Sequence, residues 1–170
     1  MKRLQEEESI AALKAEFYVD KSAEQISRYL YDNWLEINAE MQGKDFGGAE
    51  SIGKHSDDVG LLRMRLKPKG PVSPREMQFV WVYLSLGEGT FAIAGRSVDT
   101  GIAPAADHVL GEFKTYLMTF EPVAGNSNRC HYTMVGHVDP KGNIPAVIIN
   151  KIIGKRAAFY EGLKARCEAL

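Results

Sequence analysis

Residues His131 to Cys167 read HYTMVGHVDPKGNIPAVIINKIIGKRAAFYEGLKARC and combine the patterns of a strand, a tight turn and a long helix. The alternation from Arg129 to Val138 predicts the strand, and its apolar face comprises Cys130, Tyr132, Met134 and Val138. Asp139-Pro140 opens the turn, in which Gly142 permits a positive φ. Asn143 can then cap a helix that tolerates Pro145 in its first turn. We therefore expect a strand that leads directly into a C-terminal helix.

This C-terminal helix is predicted to be apolar on one side and charged on the other. Its apolar stripe comprises Ile148, Ile152, Phe159 and Leu163, with Ile149, Ile153, Tyr160 and Cys167 beside it. The opposite, wet face carries Lys151, Lys155, Arg156, Glu161 and Lys164. At about 1.5 Å per residue, the helix would extend roughly 35–40 Å. We expect it to cover an apolar surface, because its charges argue against a membrane span.

Several short motifs follow one another in a fixed order. They are Pro71-Val72-Ser73-Pro74-Arg75-Glu76, Gly95-Arg96-Ser97-Val98 with Pro104, Val138-Asp139-Pro140-Lys141-Gly142-Asn143-Ile144-Pro145, and Ile148-Ile149-Asn150. Their order and spacing match the S-x-R-D, R-S-V and D-x-K-G-x-I/L-P…I-N landmarks of the START family over about Ser51 to Leu170. The chain therefore resembles a START (steroidogenic acute regulatory protein-related lipid transfer) domain. One departure is Glu76, which stands where the family has Asp.

The resemblance implies an α+β helix-grip fold, in which a curved antiparallel sheet wraps around a long C-terminal helix and encloses a hydrophobic cavity. The sequence pattern agrees with this element order. A first strand is predicted at Ile10–Val19, and a Ser22 cap begins the first of two helices. A loop with Gly43, Gly47 and Gly48 and a polar connection at Lys54–Gly60 are predicted to follow these helices. Five further strands are predicted at Leu61–Leu66, Glu76–Leu86, Thr90–Val98, Gly111–Val123 and Arg129–Val138. The family usually adds an N-terminal helix and two more strands, which residues 1–9 do not supply.

Composition bounds the class of protein. The 170 residues are 45% hydrophobic and 25% charged, which predicts one globular domain over residues 10–170 after a frayed segment at residues 1–9. The 21 basic and 22 acidic residues leave a net charge of −1, so we expect no nucleic-acid partner. Cys130 and Cys167 lie in apolar patterns typical of buried free thiols. With no apolar signal segment, we expect a cytoplasmic protein.

Two arginines are candidate polar anchors in the cavity. In the family, the arginine at the position of Arg75 points into the cavity and meets a lipid head group or a buried acid; a surface arginine is the alternative. Arg96 is the second candidate, for which pairing with a structural carboxylate is the favoured alternative. The apolar candidates for the cavity wall are Met77, Phe79, Trp81, Tyr116, Met118, Ile148, Ile152 and Phe159.

No metal site, cofactor site or catalytic constellation is evident in the sequence. His131 and His137 lie six residues apart on one predicted strand, roughly 20 Å at about 3.3 Å per residue, so they cannot share an ion. Neither cysteine has an evident activating partner, and the chain has no G-x-S-x-G motif. If the cavity did hold an enzyme site, the candidate acid–base residues would be Tyr116, His131 and Arg75.

The resemblance implies a non-enzymatic lipid-transfer protein that holds one sterol, fatty acid, ceramide-like lipid or phospholipid. Residues 67–74 and the C-terminal helix would gate the cavity, with transient contact to a membrane surface. Two alternatives remain: a helix-grip enzyme of cyclase or hydrolase type, and an interaction module with a filled cavity. The strand Glu76–Leu86 has two apolar faces, so a partner or a homodimer through the sheet edge is also open.

Overall fold

The computed structural model describes residues 10–70, 72–154 and 156–170. A first strand is followed by two helices and a 3₁₀ turn, then by seven strands and two C-terminal helices. The strands are β1 (Leu13–Val19), β2 (Phe46–Ser56), β3 (Val59–Leu66), β4 (Arg75–Gly87), β5 (Thr90–Ser97), β6 (Val109–Leu110), β7 (Glu112–Val123) and β8 (Asn126–Asp139). The helices are α1 (Ala23–Asp32), α2 (Trp34–Gln42), α3 (Ala146–Gly154) and α4 (Ala157–Glu168), and the 3₁₀ turn is Gly43–Asp45.

Seven of the strands form one antiparallel path in the order β1-β8-β7-β5-β4-β3-β2. The short β6 pairs in parallel with the beginning of β4. Strand β1 pairs with β8, so the first strand lies beside the last, with Phe17 opposite Tyr132. Most sequential strands are hairpins, such as β4–β5, whose turn has positive φ at Gly87, Glu88 and Gly89. The sheet thus places the ends of β3, β4 and β8 next to the final turn and helices.

The concave face of the sheet holds the core, because alternate residues of each strand are apolar. Phe79, Trp81, Met118 and Tyr132 are buried there. Gly95, opposite Trp81 on β5, is required by this packing: a Cβ at that position would lie 2.9 Å from the Trp81 ring. Helix α1 begins where predicted, with the Ser22 hydroxyl accepting from the backbone N–H of Gln25 at 3.2 Å.

The C-terminal helix is divided, unlike the single helix expected from the sequence. Helix α3 ends at Gly154 and α4 begins at Ala157, and Arg156 between them lies in a turn. Glycine lacks a Cβ and is a poor helix former, so Gly154 is a physically reasonable place for the division. The preceding turn is as predicted, with positive φ at Lys141 and Gly142 and an Asp139 carboxylate that accepts from the Lys141 N–H.

Several strand bounds differ from the sequence-based predictions by one to three residues, and β2 and β6 were not among the predicted strands. Strand β1 begins at Leu13 rather than Ile10, and the region predicted as loop and polar connection forms the 11-residue strand β2. Gly47 and Gly48 had indicated a loop, but they occupy an irregular part of β2 where the register with β3 shifts. The predicted frayed segment at residues 1–9 lies outside the described residues.

The outer face of β4 is covered at one end only. Glu76 and Gln78 are buried beneath the segment that precedes β6, because Ala105 and Ile102 hydrogen-bond to their side chains. Further along β4, Leu86 is 58% exposed. The two apolar faces predicted for this strand are therefore unequal in burial. None of the helices within the described residues has both the length and the apolar character needed to cross a membrane.

Candidate functional site

A cavity of about 710 Å³ lies between the concave face of the sheet and the helices α2, α3 and α4. Such a volume falls in the range typical of sites for small organic ligands. The wall combines residues from β1, β3, β4, β7 and β8 with Lys67, Lys69, Val72 and Ser73 from the connection between β3 and β4. Its apolar members include Leu13, Met41, Met64, Leu66, Met77, Phe113, Met134, Val138, Ile144, Ile149 and Ile153. The fold thus places an apolar cavity between the sheet and the helices.

Aromatic side chains close one part of the cavity. Trp34, at the first position of α2, stacks on Trp81 with ring centroids 5.4 Å apart. The Phe159 ring of α4 lies nearly perpendicular to the Trp34 ring, with ring centroids 6.5 Å apart. Tyr116 from β7 lies 5.9 Å from Trp34. Because these rings come from helices and strands that are distant in sequence, they join the first helices, the sheet and the last helix at one point.

Two tyrosine hydroxyls provide a buried polar point in this apolar part. Tyr116 is hydrogen-bonded to Tyr160, whose hydroxyl donates to the Met134 sulfur at 3.7 Å. Burial raises the pKa of Tyr116 well above its usual value, and burial also raises the pKa of Tyr160. Both phenols therefore stay protonated at neutral pH. Chemically, they can donate or accept hydrogen bonds but are poorly suited to act as bases.

Arg75 is the buried cation of the cavity and is only 6% exposed. Its Nε donates to the Pro140 carbonyl at 3.0 Å, and one terminal nitrogen donates to the Lys141 carbonyl at 3.1 Å. The other terminal nitrogen donates to the Ser73 carbonyl. Gly142 makes room for this arrangement, because a Cβ there would lie 3.1 Å from the guanidinium. The Asp-Pro-Lys-Gly turn therefore holds the arginine through backbone oxygens.

The charge of Arg75 is left without a neutralising partner in the described part of the chain. None of the described carboxylates forms an ion pair with the guanidinium. Burial lowers the pKa of Arg75, as expected for a cation that loses water without gaining an anion. The sequence had suggested either an internal acid or a ligand head group as its partner, and the structure adds a third kind of partner, the carbonyl groups of the turn.

Further charged residues surround Asp45, which follows α2. Lys69 forms an ion pair with the Asp45 carboxylate at 2.5 Å, and the Lys67 N–H donates to the Asp45 carbonyl at 3.0 Å. A hydrogen bond from Lys69 is the main cause of a lowered pKa at Asp45, and Arg156 adds to it. All four side chains line the cavity. They form a second charged region beside the segment of residues 67–74.

Glu76, next to Arg75 in sequence, points to the other side of the sheet. Its carboxylate is fully buried and accepts from Arg65 Nε at 3.0 Å and from Gln78 at 2.7 Å. The Ala105 N–H is a third donor at 3.2 Å. The adjacent acid of the S-x-R-D-like motif is therefore a structural group on the outer face. It is not the partner of Arg75, because successive residues of a strand face opposite sides.

The structure brings together five of the ten residues predicted for the site. Arg75, Met77, Tyr116, Ile152 and Phe159 all line the cavity. Three others, Phe79, Trp81 and Met118, are buried in the core behind the wall. The remaining two, Arg96 and Ile148, are exposed and do not line the cavity. The ligand-binding role of all ten remains a prediction.

Arg96 and Ile148 differ from expectation for geometrical reasons. Arg96 pairs with Val80 across β4 and β5, which places it on the outer face. Ile148 is 43% exposed because α3 turns Ile149 and Ile153 toward the sheet. The cavity-facing side of α3 therefore comprises Ile152 from the predicted stripe together with Ile149 and Ile153, which were predicted beside it.

Other lining residues were not identified from the sequence. Asn38 and Gln42 lie on α2 one turn apart, and Gln42 donates to the Asn38 side chain at 2.8 Å. Met64 and Leu66 alternate with Arg63 and Arg65 on β3, and this period-2 pattern could have identified the inward face. Arg156 had been placed on the wet face of one continuous helix, and the division between α3 and α4 brings it to the cavity.

His131 lies away from the cavity. It is on the outer face, stacks on Tyr18 at 4.8 Å and approaches Glu16 at 3.5 Å. No group of three or more potential metal-ligating residues occurs in the parts of the chain that the structure describes. Cys130 and Cys167 are buried free thiols, and burial raises their pKa values to about 11 and about 12. Such thiols are poor nucleophiles.

Comparison with known proteins gives a consistent result. The START domain family model matches residues 1–169. Human STARD10 is 17% identical, with a TM-score of 0.78 over 98% of this chain and 66% of that one, so this chain spans slightly less than two thirds of STARD10. The STAR-related lipid transfer protein from Xanthomonas axonopodis is 18% identical, with a TM-score of 0.71 over 92% of this chain and 85% of that chain.

A more distant structural neighbour is the Zhui aromatase/cyclase from a Streptomyces species. It is 10% identical, with a TM-score of 0.56 over 93% of each chain. No match was found among curated protein sequences. At these identities the solved structures show the fold alone, and they confirm the predicted α+β helix-grip architecture. Because the family model extends over nearly the whole sequence, the chain belongs to the START domain family.

Proposed function

We propose that this protein is a non-enzymatic lipid carrier that shields one lipid at a time in its cavity. The observation that carries the proposal is the cavity of about 710 Å³, walled mainly by apolar side chains and covered by α3 and α4. Membership of the START family supports a lipid-binding role. The lipid carried is a sterol, a fatty acid, a ceramide-like lipid or a phospholipid.

Transfer free energy is sufficient to drive loading without a chemical step. Each lipid methylene moved out of water gains about 0.8 kcal/mol. A cavity lined by residues such as Met64, Phe113 and Ile153 offers an environment comparable with a bilayer interior. The polar head can then be satisfied by Arg75 or by the tyrosine hydroxyls, because buried polar groups are costly when unpaired.

We further propose that the segment of residues 67–74 and α3 form the gate. Lys67, Lys69 and Val72 line the cavity opposite Ile149 and Ile152. A pair of backbone hydrogen bonds between Lys69 and Val72, each 3.1 Å long, makes the tip of this segment a compact unit. Such a tip can move as one body when its ends hinge.

The outward side of α3 suits transient contact with a membrane. Val147 is 63% exposed, and Ile148 lies beside it on the same surface. Lys151 is exposed on the same helix and can approach lipid phosphates. A helix with one apolar side toward the cavity and a second toward solvent can contact the bilayer while the cavity opens. We place this activity in the cytoplasm, a reducing compartment compatible with two buried free thiols.

The enzyme alternative gains less support from the site. Of the three suspected acid–base residues, His131 lies on the outer face and Arg75 is held by carbonyl groups. The third, Tyr116, has a raised pKa. A lipid that is bound and released unchanged requires none of these to transfer a proton.

The function is tested by extracting the purified protein with organic solvent and identifying co-purifying lipids by mass spectrometry. We expect one lipid class at close to one molecule per chain. The delipidated protein should then move a fluorescent lipid between vesicles, and the lipid should be recovered chemically unchanged. Conversion of the bound molecule on prolonged incubation would instead support an enzyme. An absence of both co-purified lipid and transfer would contradict the proposal.

A further inference from the structure

The described residues that line the cavity carry more positive than negative charges. Four carry a positive charge, namely Lys67, Lys69, Arg75 and Arg156, and Asp45 carries the single negative charge. These charges leave a net charge of +3 on the wall. The negative charge of Asp45 is already neutralised by its ion pair with Lys69. A protein of net charge −1 thus concentrates cations around this apolar cavity.

Most of these cations are gathered toward one end of the cavity. Lys67 follows Leu66, which is paired with Arg75 across β3 and β4. Lys69 and Arg156 both act on Asp45, which lies just beyond the C-terminal end of α2. The aromatic cluster begins with Trp34 at the other end of that helix, about 12 Å from Gln42 at 1.5 Å per residue. Lys67, Lys69 and Arg75 therefore form a basic end, and Arg156 lies between this end and the aromatic cluster, with its guanidinium 5.8 Å from the centre of the Phe159 ring.

Arg75 is equipped to bind an anion at the basic end. A guanidinium has five N–H donors, and three nitrogens each donate one bond to a backbone carbonyl. Two N–H groups remain available. Carbonyl groups orient the fork but do not neutralise it, so a buried positive charge is held in place without a counter-ion from the described residues. A carboxylate or phosphate oxygen is the natural acceptor for such a fork.

The volume limits the size of the ligand. If one methylene needs about the 30 Å³ that a water molecule occupies, 710 Å³ holds roughly 24 heavy atoms. A single-chain lipid acid of about 20 heavy atoms can be enclosed completely, whereas a two-chain phospholipid of about 50 would extend out of the open side of the cavity. A sterol is closer in size, but its neutral hydroxyl leaves the basic end unneutralised.

We propose that the cavity selects a single-chain lipid with an anionic head, either a long-chain carboxylate or a lysophospholipid-type phosphate. Its head lies at the basic end against Arg75, within reach of Arg156, and its chain extends toward Trp34. The proposal rests on the lipid-carrier function and names the class of lipid carried. Both heads share the same chemistry, an anion with oxygen acceptors at the end of one acyl chain.

The test compares charged and neutral forms of one chain on the delipidated full-length protein in the absence of vesicles. Titration calorimetry or the combined fluorescence of Trp34 and Trp81 measures the affinities for oleate and for methyl oleate, below the concentration at which either aggregates. We expect oleate to bind at least tenfold more tightly. Oleoyl-lysophosphatidate, measured against oleate, decides which anion is preferred, and inorganic phosphate at millimolar concentration should not displace either lipid.

Variants then locate the preference. Arg156→Gln and Arg75→Lys should each reduce the ratio of oleate to methyl oleate affinity by about threefold to tenfold. A ratio is used because a general loss of stability affects both ligands alike. The matched control is Arg96→Gln, which removes the same charge from the exposed outer face and should leave the ratio unchanged.

Each contrary outcome overturns a distinct statement. Equal, measurable affinity for oleate and methyl oleate would overturn anion selection and leave lipid carriage standing. Displacement of oleate by millimolar phosphate alone would show that the basic end is a site for a free anion. An unchanged ratio in both cavity variants would remove Arg75 and Arg156 from the head-group site. If neither lipid bound and no lipid co-purified, the proposed function itself would fail.

Discussion

Glu76 is a charged residue with no exposed surface, and its environment explains how the charge is tolerated. Burial alone would raise the pKa of this carboxyl group. Hydrogen bonds from Gln78, Arg65 and the Ala105 N–H more than offset burial, so the pKa of Glu76 is lowered. The residue connects β3, β4 and the segment before β6 on the outer face. We therefore assign it to stability rather than to ligand binding.

Glu76→Gln should reduce the free energy of unfolding by about 1.5–3 kcal/mol at pH 7, because hydrogen bonds to a charged group are lost. The lowered pKa means that the stabilisation is complete above the unfolded-state pKa of about 4.3 and is lost as pH falls through the folded-state value. Urea denaturation at a series of pH values measures both effects. The variant should have a flatter acid dependence than the wild type.

Glu50→Gln is the matched control for this change. Glu50 also contacts Arg65, and it pairs with Arg63, but its side chain is 46% exposed. Exposed ion pairs contribute little, so the control should unfold much like the wild type. Equal losses in the two variants, or an acid dependence unchanged by Glu76→Gln, would show that the buried carboxylate is not the stabilising group.

At the scale of single residues, the sequence predicted that Arg75 is a buried anchor but not how it is satisfied. The motif placed it at the start of β4, and the structure buries it against the cavity. Its partners are carbonyl oxygens of Ser73, Pro140 and Lys141. Two of these lie more than 60 residues away in sequence, and a backbone carbonyl has no residue-type signature. Pattern reasoning therefore had no means to identify them.

Helix α3 shows how an element can have two apolar surfaces. Ile149 faces the cavity and Val147 faces solvent, two positions that differ by about 200° around the helix. A sequence in which almost every residue is apolar does not specify which face is inward. For this reason the sequence did not distinguish Ile148, which lies outside the cavity, from Ile152, which lines it on the same predicted stripe. One contact to the helix from a residue distant in sequence is the hydrogen bond that the Ala11 N–H donates to the Asn150 side chain at 2.9 Å.

The two surfaces of α3 predict two separable defects. Val147→Asp should slow lipid transfer between vesicles by about tenfold, because an exposed apolar contact with the membrane is replaced by a charge. Its affinity for a soluble lipid probe should not change. Ile149→Asp should instead abolish probe binding, because a carboxylate in an apolar wall is strongly unfavourable. Transfer kinetics and equilibrium binding are measured on the same samples.

The control for this pair is Lys151→Gln, which changes an exposed residue of the same helix. Its probe affinity should equal that of the wild type, and any loss of transfer should be small and should disappear with neutral vesicles. If Val147→Asp weakened binding as much as Ile149→Asp, the outward surface would not be a separate membrane contact. Circular dichroism of both aspartate variants excludes general unfolding as the cause.

Strand β2 illustrates the limits of local patterns at the scale of elements. Its residues are mostly polar or small, and Gly47 and Gly48 resemble a loop. The strand forms because β3 presents an unpaired edge, and the two pair over most of their lengths with three irregularities in register. By contrast, β4, β5, β7 and β8 were predicted within a few residues. These central strands carry an alternating or doubly apolar pattern that is strong enough to be read locally.

For the whole molecule, the cavity poses an energetic question. A dry, empty void destabilises a protein by about 24 cal/mol per Å³, which for 710 Å³ would amount to roughly 17 kcal/mol. A domain is typically stable by only about 5–15 kcal/mol. The chamber must therefore contain water or a ligand when the protein is folded. When an apolar lipid chain displaces this water, its atoms pack against the apolar cavity wall. Ligand binding should therefore increase the free energy of unfolding.

This link leads to a prediction for the melting temperature. A ligand at 100 times its dissociation constant stabilises the folded state by about 2.7 kcal/mol, which raises the melting temperature of a domain of this size by about 5–10 °C. Val138→Phe, on β8 opposite Phe113, adds volume inside the cavity. We expect it to retain the stability of the empty protein while reducing the shift produced by oleate to less than half.

Val80→Phe is the corresponding change on the outer face, where Val80 is half-buried between Leu61 and Arg96 of the neighbouring strands. It makes the same substitution without altering the cavity, so the oleate-induced shift should match that of the wild type. Differential scanning calorimetry of the delipidated and loaded samples measures both quantities. A full shift in Val138→Phe would mean that the lipid is bound outside this cavity, since the added ring and the acyl chain cannot occupy the same space.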